Sequence, residues 1–306
     1  MHDLIIIGGS AAGVSAAIYA ARRKLDFVLV SGDIGGEVLL CGEVENYPGI
    51  PYTTGVELAQ KYQEQLEKYE VKTDLNTYVY EIVANGKTWI VKAKHGDEEK
   101  EYATKAIIIA SGVKPRHLDV PGENEFYQKG VTYCTVCDGP LFKNKVTATI
   151  GTGNSALESA LMMSQIAKQH YILTKYPEFK GEQVLIDKLK ACENVTILYE
   201  AITTKIEGEK TVKSLSYKDK EGVEHTIDVN GVFIHIGNNP QSNFVGSLPK
   251  EANGKIIVDK MCATQWPGVF SAGDVTNTPY QQIIIASGLG ATAALSAIDY
   301  INRFED

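Results

Sequence analysis

Short apolar runs that end at glycine-containing turns recur along this chain. The first, "DLIIIGGSAAGVSAAIYAARRK", is a β-branched run, a Gly-rich turn and an Ala-rich stretch with helical spacing. The second, "VTATIGTGNSALESALMMSQIA", has the same order and starts at Val146. An unbroken apolar run between turn residues predicts a buried parallel strand, and the stretch that follows predicts a helix. The chain therefore contains two strand–turn–helix units.

Both turns resemble the motif that holds a dinucleotide pyrophosphate at a helix N-terminus. The first reads Gly8-x-Ser10-x-x-Gly13, so a serine occupies the middle position, where glycine normally lets the phosphate approach closely. The second begins at Gly151, keeps both leading glycines and has alanine at the third position. One such turn alone is also compatible with a strand-to-helix junction that binds nothing. Two of them predict two nucleotide-binding domains.

Further strand endings predict how these domains are connected. "AIIIASGVKPR" stops at Ser111-Gly112 and is interpreted as the crossover out of the first domain, and residues 237–244, "GNNPQSNF", as the crossover back. "WPGVFSAGDVT" ends a strand before an apolar helix, where Asp274 is placed either to accept a hydrogen bond from a sugar-like hydroxyl or to cap the helix. We predict an α/β fold of two Rossmann-like, three-layer domains. Residues 1–115 and 244–306 form the discontinuous first domain, and residues 116–243 form the second, inserted in it.

Composition narrows the functional classes. The 306 residues are 44% hydrophobic and 22% charged, as in globular proteins, and the net charge of −8 argues against nucleic acid as a partner. The N-terminus "MHDLIIIGGS" lacks the basic segment of a signal peptide. The longest apolar stretch, residues 283–298, is interrupted by small polar residues and is interpreted as a buried core helix, not a membrane span. Five cysteines are few for a secreted chain, which favours the cytoplasm.

Two of the cysteines, Cys134 and Cys137, form a Cys-x-x-Cys pair in "TYCTVCDGPLF". Such a pair passes electrons, holds a metal or staples a loop. Zinc requires about four ligands, whereas Cys41, Cys192 and Cys262 stand alone and the histidines show no ligand spacing, so we predict no metal site. The redox function is favoured, and the three isolated cysteines are interpreted as small, buried or half-buried fillers.

The residue that follows the pair, Asp138, supports this interpretation. In thiol–disulfide exchange the attacking sulfur must be a thiolate. An adjacent carboxylate can return the proton to the leaving thiolate.

The order of these motifs resembles the low-molecular-weight FAD-dependent thioredoxin reductases, a class II branch of the pyridine nucleotide-disulfide oxidoreductases. The matching segments are "IIIGGSAAGVSAAIYAAR", "GGEVLLCGEVENYPG", "ASGVKPRHLDVPGE", "YCTVCDG", "GTGNSALESA" and "GVFSAGDVT". The resemblance implies a homodimer in which electrons pass from a donor to FAD, then to a Cys134–Cys137 disulfide, and then to thioredoxin or a thioredoxin-like protein. It places Cys137 next to the flavin, makes Cys134 the attacking sulfur, and makes Asp138 the proton donor and acceptor.

The resemblance also implies the cofactor contacts, with the FAD pyrophosphate at the first turn, the ribityl chain at Asp274 and the ring near the backbone of Gln282. Cys41 lies in a segment that matches a flavin-proximal loop. The implied FAD residues are Gly8, Ser10, Ala11, Ala12, Gly13, Gly36, Glu37, Asn46, Ala110, Ser111, Gly112, Gly273, Asp274, Gln282 and Ile283. The candidate NAD(P) residues are Gly151, Gly153, Asn154, Ser155, Ala156, Lys175 and Lys180.

The sequence departs from that family in the segment expected to bind the electron donor. The usual His-Arg-Arg-x-x-x-Arg segment is replaced by "TKYPEFK". This segment has two lysines, Lys175 and Lys180, and no arginine. Lysine attracts a 2′-phosphate but lacks the bidentate fork of arginine. No acid is placed to read the ribose of NADH unless Glu178 turns inward. The donor is left open among NADPH used weakly, NADH, and a protein such as reduced ferredoxin. An FAD-dependent thiol oxidase, which hands electrons from a dithiol to oxygen, is the alternative function.

Overall fold

A computed structural model describes residues 1–41 and 43–304, with the side chains of Leu40, Glu43 and Cys137 excepted. The chain divides into two compact units. The first comprises Met1–Lys114 and Asn239–Asp306, and the second comprises Pro115–Asn238.

Both units contain strands and helices. Short 3₁₀ turns cover Gly36–Leu40, Gly139–Phe142 and Asn243–Val245. The helices are α1 (Ala11–Arg22), α2 (Gly55–Lys68), α3 (Thr135–Asp138), α4 (Asn154–Ile166), α5 (Gln183–Lys190) and α6 (Ile283–Asn302). The strands are β1 (His2–Ile7), β2 (Phe27–Val30), β3 (Glu43–Val44), β4 (Thr53–Thr54), β5 (Thr73–Asp74), β6 (Thr77–Asn85), β7 (Thr88–His95), β8 (Glu98–Ile109), β9 (Val113–Pro115), β10 (Val131–Thr132), β11 (Val146–Gly151), β12 (Gln169–Leu173), β13 (Val195–Leu198), β14 (Ile202–Gly208), β15 (Val212–Lys218), β16 (Glu224–Asp228), β17 (Gly231–His235), β18 (Asn238–Pro240) and β19 (Val269–Ser271).

The first unit has a central parallel sheet in the order β5-β2-β1-β8-β19. The first half of β8 leaves this sheet and pairs with β7, which pairs with β6, so these three strands form an antiparallel meander. Successive residues of β1 face opposite sides: Leu4 and Ile6 pack in the core formed with α1, α2 and α6, and Ile5 and Ile7 pack in the core formed with the meander. The unit therefore has three layers, as predicted. Burial of each of these side chains contributes about 1.5–3 kcal/mol.

The apolar helix α6 is a component of the first core. Its length and mean hydropathy of 1.5 would by themselves allow it to cross a membrane, and it is the one such helix in the described part of the chain. Small residues line the side that meets α1, and a Cβ added at Gly290 would lie 2.0 Å from the carbonyl oxygen of Ala12. The helix backbones therefore touch. Gln282 occupies the N-cap position, so the sequence-based alternative that Asp274 caps this helix is wrong.

The second unit repeats the design. Its parallel sheet has the order β10-β17-β11-β12-β13, and a separate antiparallel sheet contains β14, β15 and β16. One core lies between the sheet, α4 and α5, and another lies between the sheet and β14 and β15. The α/β class with Rossmann-like, parallel-sheet units is thus confirmed.

The second crossing between the units falls at Asn238–Asn239, earlier than the predicted boundary at residue 244. Hydrogen bonds explain the difference. The backbone N–H of Gln241 donates to the carbonyl oxygen of Gly112 at 2.9 Å, and the hydroxyl of Ser111 donates to the carbonyl oxygen of Gln241 at 2.6 Å. This segment is therefore already part of the first unit. Strands β9 and β18, at the two crossings, pair with each other.

Candidate functional site

The turn between β1 and α1 is shaped by backbone contacts that exclude side chains. Gly8 has φ +111°, and a Cβ there would lie 2.2 Å from the carbonyl oxygen of Ala110. A Cβ at Gly13 would lie 1.7 Å from the carbonyl oxygen of Gly8, so α1 packs directly on the end of β1. Ser10, the N-cap of α1, donates its hydroxyl to the carbonyl oxygen of Gly35 at 2.5 Å. The turn thus has the tight form that presents N–H groups at a helix N-terminus to an anion.

The other candidate FAD residues of the first unit gather around this turn. Ala110 contacts it from the end of β8, and a Cβ at Gly36 would lie 3.2 Å from the Cβ of Ser10. A Cβ at Gly273, just after β19, would lie 3.0 Å from the Cβ of Ala12. These positions share the carboxyl-terminal edge of the parallel sheet, where Rossmann-like folds bind cofactors. Ala11, Ser111 and Gly112 belong to the same segments.

Two carboxyl groups lie at this edge with raised pKa values. Burial raises the pKa of Asp274 to about 6, and Lys255 opposes the shift. Burial also raises the pKa of Glu37, with Lys114 opposing. Among the described residues, none hydrogen bonds to the Asp274 carboxylate. A largely buried carboxylate without a protein donor suits a ligand hydroxyl, so the residues present fit FAD.

The segment before α2 reaches the start of α6. Asn46 donates from Nδ2 to Oε1 of Gln282 at 3.0 Å, and Ile283 is the first residue of the helix. Tyr47 donates its hydroxyl to Oγ of Ser287 at 3.5 Å. These contacts place "ENYPG" beside the backbone at which the flavin ring was predicted.

Sequence reasoning missed two residues that follow β2. The N–H of Gly9 donates to Oγ of Ser31 at 2.9 Å, and the N–H of Gly36 donates to Oδ1 of Asp33 at 2.7 Å. They support both Gly-rich segments of the site. The signal was available, because an acid after the second strand of a βαβ unit commonly faces the cofactor ribose.

In the second turn, between β11 and α4, the backbone is tightly packed at Gly151 and open at Gly153. A Cβ at Gly151 would lie 2.2 Å from the carbonyl oxygen of His235, whereas one at Gly153 would meet nothing within 4 Å. Asn154, the first residue of α4, forms a two-way bridge to Glu182: its Nδ2 donates to Oε1 at 2.9 Å, and the Glu182 N–H donates to its Oδ1 at 2.8 Å. Ser155 and Ala156 continue the helix. Open space at the N-cap leaves room for a phosphate.

The segment after β12 shows what replaces the missing arginines. The Nζ atoms of Lys180 and Lys175 lie 3.8 Å and 5.4 Å from the ring centroid of Tyr176. Thr174 is buried, and its hydroxyl lies 2.9 Å from that of Thr152 in the Gly-rich turn. Glu178 is exposed, as are Lys175 and Lys180. The charged side chains of this segment are therefore Lys175, Glu178 and Lys180.

The Cys-x-x-Cys pair lies between β10 and α4 of the second unit. Cys134 is disulfide-bonded, and the side chain of Cys137, in α3, lies outside the described part. The hydroxyl of Thr132 accepts from the N–H of Cys134 at 3.1 Å and donates to Oδ2 of Asp138. Burial raises the pKa of Asp138, and this hydrogen bond opposes the shift. Asp138 therefore keeps its proton to a higher pH than an ordinary aspartate.

The other cysteines carry no disulfide. Cys262 is buried, and Cys41 and Cys192 are half-buried. The residues that the structure describes contain no group of three or more His, Cys, Asp or Glu side chains suited to a metal ion.

Two nucleotide-type turns and a disulfide at Cys134 define a flavin-dependent disulfide oxidoreductase. The chain belongs to the pyridine nucleotide-disulphide oxidoreductase family, which matches residues 2–290, and its cofactor is FAD. This confirms the family resemblance.

Known proteins that carry different names are similar to this chain. One component of the alkyl hydroperoxide reductase of Escherichia coli (strain K12) is 40% identical over 99% of this chain and 58% of its own length. NADH dehydrogenase of Bacillus subtilis (strain 168) is 39% identical over 98% of this chain and 59% of its own length. The chain thus spans under two thirds of these relatives. The structure of thioredoxin reductase from Streptococcus pyogenes MGAS5005 is 34% identical, with a TM-score of 0.84 and 99% of both chains covered.

Proposed function

We propose that this protein is a thioredoxin-disulfide reductase that passes electrons from a donor to FAD, then to the Cys134–Cys137 disulfide, and then to a disulfide of thioredoxin or a thioredoxin-like protein. The observation that carries the proposal is the disulfide at Cys134 beside Asp138, a carboxyl group whose pKa is raised by burial. Bound FAD supplies the two-electron carrier between the donor and this disulfide.

The residues of the chain perform the exchange with the partner. After reduction of the pair, the Cys134 thiolate attacks one sulfur of the partner disulfide, so that a mixed disulfide forms and one partner thiolate leaves. Asp138 gives its proton to a leaving thiolate, because its raised pKa keeps it protonated closer to neutral pH. Cys137 then loses its proton and attacks Cys134 as a thiolate. The Cys134–partner bond breaks, and the second partner thiolate leaves and takes up a proton. The partner gains two electrons and two protons, and the pair returns to the disulfide.

The comparisons support a thioredoxin-type partner. The Streptococcus pyogenes structure is that of a thioredoxin reductase and matches over nearly the whole chain. The relative from the Escherichia coli alkyl hydroperoxide reductase has another name, so the proposed partner includes thioredoxin-like proteins as well as thioredoxin. We further propose a homodimer in the cytoplasm, where three reduced thiols, Cys41, Cys192 and Cys262, are compatible with the redox conditions.

We propose a nicotinamide dinucleotide as the electron donor, bound at Gly151–Ala156. The intact second turn and the open space at Gly153 support it. Lys175 and Lys180 favour a 2′-phosphate and hence NADPH. A relative whose name is NADH dehydrogenase favours NADH.

Anaerobic reduction of the purified flavoprotein tests the donor. Bleaching of the flavin absorbance by NADPH or NADH at a rate comparable to turnover supports a nicotinamide donor. If NADPH is used, Lys180→Met is expected to lower kcat/KM for NADPH by about tenfold or more and leave NADH unaffected, whereas Lys220→Met, at an exposed turn, changes neither. If neither nucleotide bleaches a flavin that dithionite reduces, the donor is a protein such as reduced ferredoxin.

The partner is tested by reduction of oxidised thioredoxin, followed through the thiols released. Wild-type protein is expected to turn over, and Cys134→Ser is expected to be inactive while it still binds FAD. Rapid oxygen consumption with a dithiol, without reduction of thioredoxin, would instead establish the thiol oxidase.

A further inference from the structure

A continuous chain of buried and half-buried hydrogen bonds ends inside the Cys-x-x-Cys motif. The hydroxyl of Thr135 lies 2.7 Å from Nε2 of His235 and 2.6 Å from Oγ of Ser159. Oγ of Ser159 in turn lies 3.0 Å from Oγ1 of Thr149. The three hydroxyl-bearing residues are buried, and burial lowers the pKa of His235 to about 4, so its imidazole is neutral at neutral pH. A buried polar chain whose members all have partners fixes the groups it joins.

The two residues between the cysteines are held very differently. Thr135 is 4% exposed and its hydroxyl bonds directly to residues of two other elements, Ser159 of α4 and His235 of β17; Ser159 continues the chain to β11. Val136, its neighbour, is 62% exposed. The redox loop is therefore anchored through one side chain, and that side chain has no direct part in the thiol chemistry.

His235 also fixes the loop relative to the second Gly-rich turn. Gly151 and His235 are register partners in the β11–β17 pair, and a Cβ at Gly151 would clash with the His235 carbonyl oxygen. One residue thus supports the turn with its backbone and the redox loop with its side chain. Both connections lie within the second unit.

We propose that His235 and Thr135 are positioning residues for the redox disulfide. The proposal rests on the proposed function, because it assigns the redox chemistry to Cys134 and Cys137. An anchored loop keeps the two thiols of the reduced pair close together, which raises their effective concentration and favours the disulfide. Loss of the anchor gives the dithiol form more conformational freedom, so the disulfide becomes easier to reduce.

The test is the thiol–disulfide equilibrium of the purified FAD-containing protein. The protein is equilibrated anaerobically with glutathione and glutathione disulfide in varied ratios, thiols are trapped with a maleimide, and the Cys134 peptide is quantified by mass spectrometry. Two molecules of glutathione reduce one protein disulfide and leave as glutathione disulfide. Thr135→Val and His235→Gln are expected to lower the equilibrium constant for disulfide formation about tenfold, or about 30 mV in reduction potential.

Two further variants separate positioning from a general disturbance of the loop. Thr135→Ser keeps the hydroxyl and is expected to restore the wild-type equilibrium constant, and Val136→Ala, at the exposed neighbour, is expected to leave it unchanged. A wild-type value for both Thr135→Val and His235→Gln would overturn the proposal. An equal shift in Val136→Ala would overturn it too. If Thr135→Val does not fold, as judged by its FAD content and melting temperature, His235→Gln decides.

This assay uses neither an electron donor nor thioredoxin. A wild-type protein that failed to reduce thioredoxin would contradict the proposed function and leave the glutathione equilibrium measurable. The two failures are therefore distinguishable.

Discussion

We predict that the carboxyl group of Asp274 makes FAD binding depend on pH. Burial raises its pKa to about 6 in the protein alone, from an ordinary value of 3.8. If the carboxylate accepts a hydrogen bond from an FAD hydroxyl, the charged form is stabilised in the complex and its pKa falls. Below pH 6 the protein must first lose the Asp274 proton before this contact forms. FAD affinity is therefore highest well above pH 6 and falls as the pH drops through that value.

The magnitude follows from the two pKa values. If FAD binding returns the pKa from about 6 to the ordinary value of 3.8, FAD affinity at pH 5 is about tenfold lower than at pH 8. That ratio corresponds to about 1.4 kcal/mol. Asp274→Asn removes the titrating group, so its affinity is expected to be nearly constant over the same range and weaker at pH 8 than that of the wild type.

Titration of apoprotein into FAD, followed by flavin fluorescence at pH 5, 6, 7 and 8, measures this dependence. Glu37, whose pKa is also raised by burial, is the nearby group that would mimic the effect. Glu37→Gln is therefore the control, and it is expected to keep the tenfold change. A wild-type affinity that does not vary with pH, or a tenfold change that survives in Asp274→Asn, would refute the assignment.

Three other perturbations follow from the geometry. Gly13→Ala is expected to reduce FAD affinity by more than tenfold, because its Cβ would lie 1.7 Å from the Gly8 carbonyl oxygen. Gly288→Ala, whose Cβ would meet nothing within 4 Å, is expected to bind FAD normally. The ratio of flavin to protein absorbance measures both. Asp138→Asn is expected to slow thioredoxin reduction about 10²-fold at neutral pH without preventing disulfide formation, and an unchanged kcat would contradict its role in proton transfer. Burial lowers the pKa of His170 from 6.5 to about 3. As the pH falls, the unfolded state therefore takes up a proton at this residue before the folded state does. The folded protein is fully stabilised by this group above pH 6.5 and loses that stability as the pH falls towards 3. Urea denaturation at pH 7.5 and 5.5 is expected to show about 1.4 kcal/mol less stability from this group at the lower pH, and a His170→Gln variant with the same decrease would exclude His170 as its source.

Local chemistry made much of the fold predictable. The two Gly-rich turns follow from contacts between residues close in sequence, such as Gly13 with Gly8, and the β1 pattern of alternating burial follows from strand periodicity. The second crossing was harder to place. Its position depends on Ser111 and Gln241, which are distant in sequence and bond only in the folded chain.

The candidate sites divide in the same way. The Cys-x-x-Cys pair and Asp274 have a recognisable local context. By contrast, the anchor of the redox loop joins Thr135, Ser159 and His235, which are common residues in unrelated segments. Only the sheet and α4 bring them together, so no pattern in the sequence alone would have selected them.

The pairing of β9 with β18 has a consequence for protein engineering. The polypeptide departs for the second unit and comes back through two hydrogen-bonded neighbours, so the ends left by deletion of Pro115–Asn238 are adjacent. A linker of a few residues could close that gap, and a foreign module could be spliced in at the same place. Exchange of the segment between these two positions would replace the second unit and leave the chain of the first unit continuous.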